Sequence, residues 1–402
     1  MVVFKHISSP WLWLALIPGG MIFGPLPFSS IVYYILLIVL TILSISGAKQ
    51  NNFLPIAFLI SCALSIIIGQ PAPLFKSWPR LGLFAILLIG VFPVFSNKKI
   101  WFIRSQLFKY TLWLCAFIGV SGVFCYFAGI NYFRTDITNP EALLNEAGLF
   151  AGFTRHSMLL GPCGAIGIVF FSWLSLQCKK KKIFKYLYWG AAVLCLLTTF
   201  LSASRGATFG GIIGFMTLLF VSNRGKIGKF IGIIILLAGI FLAAAPSLER
   251  FTKPLYDKQE RNDELGGTFS SRQSKWEHRI DEFKSNPMFG VGFAAVDIAN
   301  RIDYDPNTGT TEAGSSWLAL LSMTGLMGFS IFCAIYFPTV RQLTKRALRE
   351  RGYGKATLYL PLLSIFFVTM FTEGYLLAGG SFFCYFFWLL LGLSYSETHP
   401  IN

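Results

Sequence analysis

The sequence predicts an all-α polytopic integral membrane protein with about twelve transmembrane helices and one long loop outside the bilayer. Three observations predict it: the composition, a succession of apolar runs of bilayer length, and basic residues that alternate between connections. Hydrophobic residues make up 54% of the 402 and charged ones only 13%, and mean hydropathy is +0.62. A water-soluble chain of this length would not carry so much apolar surface.

A hydrocarbon core about 30 Å thick needs roughly 17–25 helical residues. Such runs cover residues 9–25, 28–46, 53–69, 80–96, 108–129, 157–177, 184–201, 207–222, 228–246, 314–339, 356–372 and 378–395. The first is expected to be retained, because Trp11 to Phe23 lacks a small-x-small cleavage site and another apolar run follows it. Gly379-Gly380 between the last two runs also allows these to form one re-entrant hairpin. Residues 1–246 thus hold nine spans, 247–313 the long loop, and 314–402 the last three spans.

The distribution of Lys and Arg orients the chain. With a cytoplasmic N-terminus, the inner connections hold Lys5, Lys49, Lys98 to Lys109, Lys179 to Lys185, Arg224 to Lys229 and Arg341 to Lys355, which together carry 20 of the 34 basic residues. Both termini are then cytoplasmic. The formal charge of +16 follows from this topology and from anionic lipid at the inner leaflet, so no nucleic-acid partner is implied.

Acidic residues lie on the other side. The segment from Ala245 to Ala313 carries twelve of the eighteen Asp and Glu residues, and a polar loop of that size is expected to be a working part. The other sizeable outer segment, Ile130 to His156, contains Asn139-Pro140-Glu141, the start signal of a short surface helix. All eight cysteines lie in or beside apolar runs, which excludes a disulfide framework in the loop. Without clustered Cys and His, neither a metal nor another cofactor is expected.

Within the loop, Ser270 to Phe283 reads as a helix, with capping-box spacing between Ser270 and Gln273 and a stop at Asn286-Pro287. Residues 272, 276, 279, 280 and 283 fall on one face by helical periodicity. That face offers Arg272 and Arg279 among Trp276, Ile280 and Phe283, and guanidinium forks bind phosphate oxygens in bidentate fashion. His278 falls away from it.

A single arginine, Arg205, interrupts the uncharged stretch between Tyr186 and Ser222. Its neighbours Ser202, Ala203, Ser204 and Gly206 are small enough for close backbone approach at the start of a helix, where the dipole favours an anion. An arginine near a helix end also serves simply by snorkelling to headgroups. Four further positions carry candidate chemistry or its imitation. Arg155-His156 can add a cationic contact or an interfacial anchor, and Glu373 is a carboxylate near the membrane. Glu312 stands at the outer mouth of the run 314–339. Asp303 to Gly309 imitates a metal motif but reads as a turn. Trp276, Phe269, Tyr256, Tyr304 and Trp317 are aromatic faces on which sugars can stack.

In order, Ser204-Arg205-Gly206 at an outer helical join, Arg272 to Trp276 in a long loop, Asn286 to Phe293, and Ser316 to Leu321 running into Thr324 to Gly328 resemble the O-antigen ligase and polymerase superfamily. The resemblance implies a membrane-embedded glycosyltransferase of GT-C architecture, in a bacterial inner membrane with a periplasmic active site. It implies metal-independent, inverting transfer from an undecaprenyl-pyrophosphate-linked oligosaccharide to a glycan or lipid-linked acceptor, in contact with membrane lipid and with a chain-length regulator as an optional partner. Carried over by position, Arg205 and Arg272 grip the pyrophosphate, with Arg279 and Arg155 as further cations. Ligases place His-Asn ahead of the last motif, where this chain has Gly314-Ser315. Glu312 is then the expected base, with His278 and Glu373 as rivals. The departure points to a polymerase for O-antigen or capsular repeats. A ligase using lipid A core remains open, as does a lipid-linked glycan flippase. A metal-dependent dolichol-sugar enzyme would want an acid in the first outer loop, and Phe23 to Ser29 has none.

Overall fold

The computed structural model describes residues 9–26, 30–46, 48, 50–132, 150–178, 182–223, 226, 228, 232, 251–253, 256, 270–298, 309, 313–350 and 354–399. Its elements are α1 (Pro10–Gly19), α2 (Ser30–Ser46), α3 (Phe53–Gly69), a 3-10 turn (Pro73–Phe75), α4 (Ser77–Val91), α5 (Lys98–Ala128), α6 (Ser157–Gln177), α7 (Lys182–Leu201), α8 (Arg205–Ser222), α9 (Ser270–Ser285), α10 (Ser316–Arg349), α11 (Ala356–Thr369) and α12 (Phe382–Thr398). The non-helical pairing is a two-residue antiparallel ladder of β1 (Gln50–Asn51) with β2 (Phe95–Ser96), and an isolated bridge from Phe23 to Thr154. Six of the described helical segments are long and apolar enough to cross a membrane: Pro73–Val91, α5, α6, α7, α8 and α10; α1, α2, α3 and α11 are apolar but shorter. The chain is a multi-pass, all-helical membrane protein.

Several helices depart from their expected bounds. The run at 9–25 is helical only to Gly19, beyond Pro18 and into Gly19-Gly20, and the chain then turns so that Ile22 and Gly24 pair with Arg155 and Phe153. α5 begins at Lys98, where the Asn97 side chain accepts from the Ile100 amide, so it takes in the basic stretch expected to be a connection. α10 runs on to Arg349, and its end is tied to α12 by Arg346 bridging to Glu350 (2.9 Å) and to Glu397 (3.0 Å). The run at 228–246 lies almost wholly outside the described residues.

The core is a continuous aromatic and aliphatic cluster, which accounts for much of the phenylalanine. Trp388 of α12 is fully buried and touches Phe58, Phe84, Phe92, Phe332 and Phe387, with centroids 5.5–5.9 Å apart. Arg104, counted by sequence among the inner basic residues, is only 3% exposed. It donates to the carbonyls of Ile89 and Gly90, at the end of α4, and to Ser44 Oγ. A cation there satisfies otherwise orphaned helix C-terminal acceptors.

α10 is broken. Gly325 has φ 62° and ψ −169°, a conformation open to glycine, and the segment Pro287–Gly292 fills the break. The Leu326 and Met327 amides donate to the Pro287 and Met288 carbonyls (2.8 and 3.2 Å), while the Val291 and Gly292 amides donate to Ser322 and Met323 (2.9 and 3.2 Å). The Asn-Pro-Met-Phe-Gly-Val-Gly-Phe motif is therefore the plug that restores the hydrogen bonds of an interrupted helix. Irregular backbone among membrane helices persists only where such partners are supplied.

Candidate functional site

At one end of the bundle, the link between α11 and α12, residues 370–381, lies on the start of α10. Ser316 donates from its amide to the Met370 and Glu373 carbonyls (2.8 and 2.9 Å) and from its hydroxyl to Glu373 O (2.5 Å), and Ser315 Oγ donates to Met370 O (3.1 Å). From below, Trp388 Nε1 donates to Leu376 O at 3.0 Å. Tyr375, buried, shares a 2.6 Å bond with Thr369. A link held at so many points can carry side chains in fixed positions.

Glu373 is one of these. Its Oε1 accepts from Arg272 Nη2 at 3.1 Å, while Arg272 Nη1 donates to Gly314 O at 3.2 Å. Trp276 Nε1 donates to the same carbonyl at 3.3 Å. Arg272 is 25% and Glu373 19% exposed, so the pair stands at an accessible edge. Gly314 has φ 70°, and a Cβ there would lie 3.0 Å from Lys275 Cβ. The position at which ligases carry histidine is thus used here as a carbonyl that receives α9. Its neighbour Ser315 caps α10, accepting from the Leu318 amide at 3.4 Å. A Cβ on Gly374 would collide with Ala313, so the carboxylate-bearing link and the residue after Glu312 are in contact. Glu312 itself lies outside the described residues.

Arg205 stands at the start of α8, which meets the same link. α7 ends at Leu201, Ala203 takes φ 48°, and α8 begins at Arg205 with Ser204 as its N-cap residue. The opening amides of any helix have no partner within it and attract anions. A Cβ on Gly206 would strike Thr372 Oγ1, and one on Gly161 would lie 2.7 Å from Ser202 Oγ. The start of α8 therefore abuts Thr372, adjacent to Glu373. The start of α8 at Arg205 and the Arg272 side chain, 67 positions apart, thus come to adjacent residues, Thr372 and Glu373.

Other expected residues are elsewhere. Arg279 does not share the Arg272 edge: it is 0% exposed, its Nη1 donating to Glu282 (2.8 Å), Ser322 Oγ (3.1 Å) and Ala295 O (3.3 Å). Glu282 Oε1 in turn accepts from the Asp297 amide at 3.1 Å. This buried pair fastens α9 to the broken helix. Ile280, expected on the packed face, is 40% exposed. His278 is half-buried on α9. Arg155 is exposed and donates to Leu26 O at 3.4 Å, while His156 Nδ1 caps α6 by accepting from the Met158 amide. The segment with Asn139-Pro140-Glu141, the turn from Asp303 to Thr308, Phe269 and Tyr304 lie outside the described residues.

Sequence reading passed over two side chains that line a cavity of about 530 Å³ beside the link, Arg80 and Tyr34. Arg80 Nη1 donates to Gly309 O (3.0 Å) and Ala294 O (3.4 Å), joining the first turn of α4 to the loop. The available signal was the charge rule: Arg80 is a cation at the end of its apolar run where that rule expects few.

The described residues form a multi-pass membrane protein in which an Arg272–Glu373 pair and the start of α8 meet at one end of the bundle. Residues 190–333 match the family model described as O-Antigen ligase. That match establishes the likeness to the O-antigen ligase and polymerase superfamily and supports a membrane glycosyltransferase role. It contains Arg205, Arg272, Arg279 and Glu312, and leaves out Arg80, Arg155 and Glu373. Comparison with curated proteins gives no match.

Proposed function

We propose that the protein transfers a glycan from undecaprenyl pyrophosphate to an acceptor sugar hydroxyl at the periplasmic face, as an O-antigen or capsular polysaccharide polymerase. The observation that carries this reading is that the N-terminus of α8, which begins with Arg205, and the Arg272 side chain meet adjacent residues of the 370–381 link, Thr372 and Glu373. Two guanidinium groups beside a helix N-terminus suit a pyrophosphate.

In the proposed reaction the acceptor hydroxyl oxygen attacks the anomeric carbon as the bond from that carbon to the phosphate oxygen breaks. The electron pair leaves with undecaprenyl pyrophosphate, and the hydroxyl proton passes to Glu312. One displacement inverts the anomeric configuration. Arg205 and Arg272 stabilise the charge that grows on the leaving oxygen, a term worth about a hundred- to a thousandfold per donor in comparable sites. Glu373 holds Arg272 in place until the pyrophosphate takes over the guanidinium. No step calls for a metal ion. The description of the matched family favours a second reading, ligation to lipid A core; the use of Gly314 and Ser315 as backbone anchors favours polymerisation.

Purified protein in nanodiscs, given an undecaprenyl-pyrophosphate-linked oligosaccharide and EDTA, tests both. A growing glycan ladder with release of undecaprenyl pyrophosphate, lost on Arg205→Ala or Arg272→Ala, is the expected result. Transfer only when lipid A core is added makes it a ligase. Unaltered substrate overturns the enzymatic reading in favour of a flippase.

A further inference from the structure

We infer that the cavity beside the 370–381 link is the binding site for the terminal sugar of the acceptor glycan, with Arg80 and Tyr34 as its recognition residues; this rests on the transfer reaction proposed above. Its volume, about 530 Å³, falls within the range of roughly 300–1,000 Å³ in which small-molecule sites lie. Ala313 and Gly374 form part of its wall. These residues follow Glu312 and Glu373 directly, and Gly314, the next residue after Ala313, carries the carbonyl that receives Arg272. The cavity therefore borders the residues that hold Arg272. An inverting displacement requires the acceptor oxygen on the side of the anomeric carbon away from the departing pyrophosphate, so donor and acceptor would meet at the edge where the cavity adjoins Arg272.

The lining suits a sugar. Tyr34 offers a ring for the C–H face of a pyranose and a phenolic hydroxyl for its oxygens, and the exposed backbone at Gly380 adds a further polar contact. Arg80 is fixed by two loop carbonyls at the cavity wall, so its planar donor group is oriented before a ligand arrives. Leu83, Met323 and Leu377 make much of the rest apolar, which suits the C–H surface of a sugar ring. A Cβ on Gly380 would stand 2.9 Å from the Tyr34 hydroxyl, so a larger residue there intrudes on the ring.

The test uses full-length protein in nanodiscs and two soluble probes, the lipid-free oligosaccharide of the repeat unit and the delipidated core oligosaccharide of lipid A. Binding is followed by saturation-transfer NMR. Transfer rates are measured against acceptor and against donor. Gly380→Leu fills the site; Arg80→Met keeps the volume and removes the donors; thermal unfolding reports whether each variant is folded. The expected result is binding of one probe by the wild type and its weakening by about tenfold or more in both variants, the loss of a well-placed polar contact. The acceptor KM rises in parallel and the donor KM stays unchanged. Whichever probe binds identifies the acceptor. Unchanged binding in the folded variants, or binding of neither probe to the wild type, overturns the inference. Probe binding that the variants abolish in a protein that transfers nothing keeps the glycan site and overturns only the transfer reaction.

Discussion

At the scale of the residue, the protein separates three arginines that sequence reading grouped or ranked together. Arg272 is at an accessible edge with Glu373, Arg205 opens α8 beside Thr372, and Arg279 is sealed from solvent with Glu282. Removing one member of a buried ion pair strands the other, typically at about 3–5 kcal/mol. Arg279→Ala should therefore lower the unfolding temperature sharply, whereas Arg272→Ala should leave it nearly unchanged while abolishing transfer. Thermal denaturation in detergent separates the two, and equal shifts would reject the distinction. Glu312 as base carries its own signature. The base must be ionised, so the rate falls as pH drops and the carboxylate takes up a proton, and Glu312→Gln should remove that acid limb together with most of the activity. Retained activity with an unaltered pH profile would eliminate Glu312. Arg205 and Arg272 were legible in the sequence because an isolated cation and a motif spacing are local signals. The depth of Arg279 was not: helical periodicity identifies a face, and here the buried centre fell on Arg279 and Glu282 while Ile280 stayed exposed.

The element that governs the site is the broken helix α10. Its first half carries Ser315 and Ser316 to the 370–381 link, and the break receives Pro287–Gly292 and Arg279. A Cβ on Gly325 would collide with the Met288 carbonyl group, and its backbone conformation, essentially restricted to glycine, adds about 1–3 kcal/mol for an L residue. Gly325→Ala should expel the plug, reduce folded yield and abolish activity despite its distance in sequence from Arg205 and Arg272. Size-exclusion profiles and thermal unfolding report this; a variant as stable and active as the wild type would show that the break is incidental. Hydropathy alone reads 314–339 as one continuous span, because the partners that make the break tolerable come from a segment some 35 residues upstream. Long-range pairing likewise holds the irregular 370–381 link, whose Tyr375, Leu376 and Leu377 are buried.

On the scale of the whole molecule, eleven of the twelve apolar runs fall on described helices and six described segments are long and apolar enough to cross a membrane, since length and side-chain composition are properties of contiguous sequence. What they could not show is which helix ends meet. The fold brings the starts of α8 and α10, the loop helix α9 and the 370–381 link to one end of the bundle, and Glu373 enters the site from beyond the segment that carries the motifs. The central claim is that this convergence forms a single pyrophosphate site, in which Glu373 holds the place of the anion. Equilibrium binding of undecaprenyl pyrophosphate to nanodisc-embedded protein tests it most directly, with wild type, Arg205→Ala, Arg272→Ala and Glu373→Gln side by side. Either arginine variant should weaken binding by about tenfold or more, the loss of one charge-assisted contact, while Glu373→Gln should bind at least as tightly as wild type because a competing carboxylate charge is gone. Arginine variants that bind as well as wild type, or a Glu373→Gln variant that loses binding as they do, would contradict it.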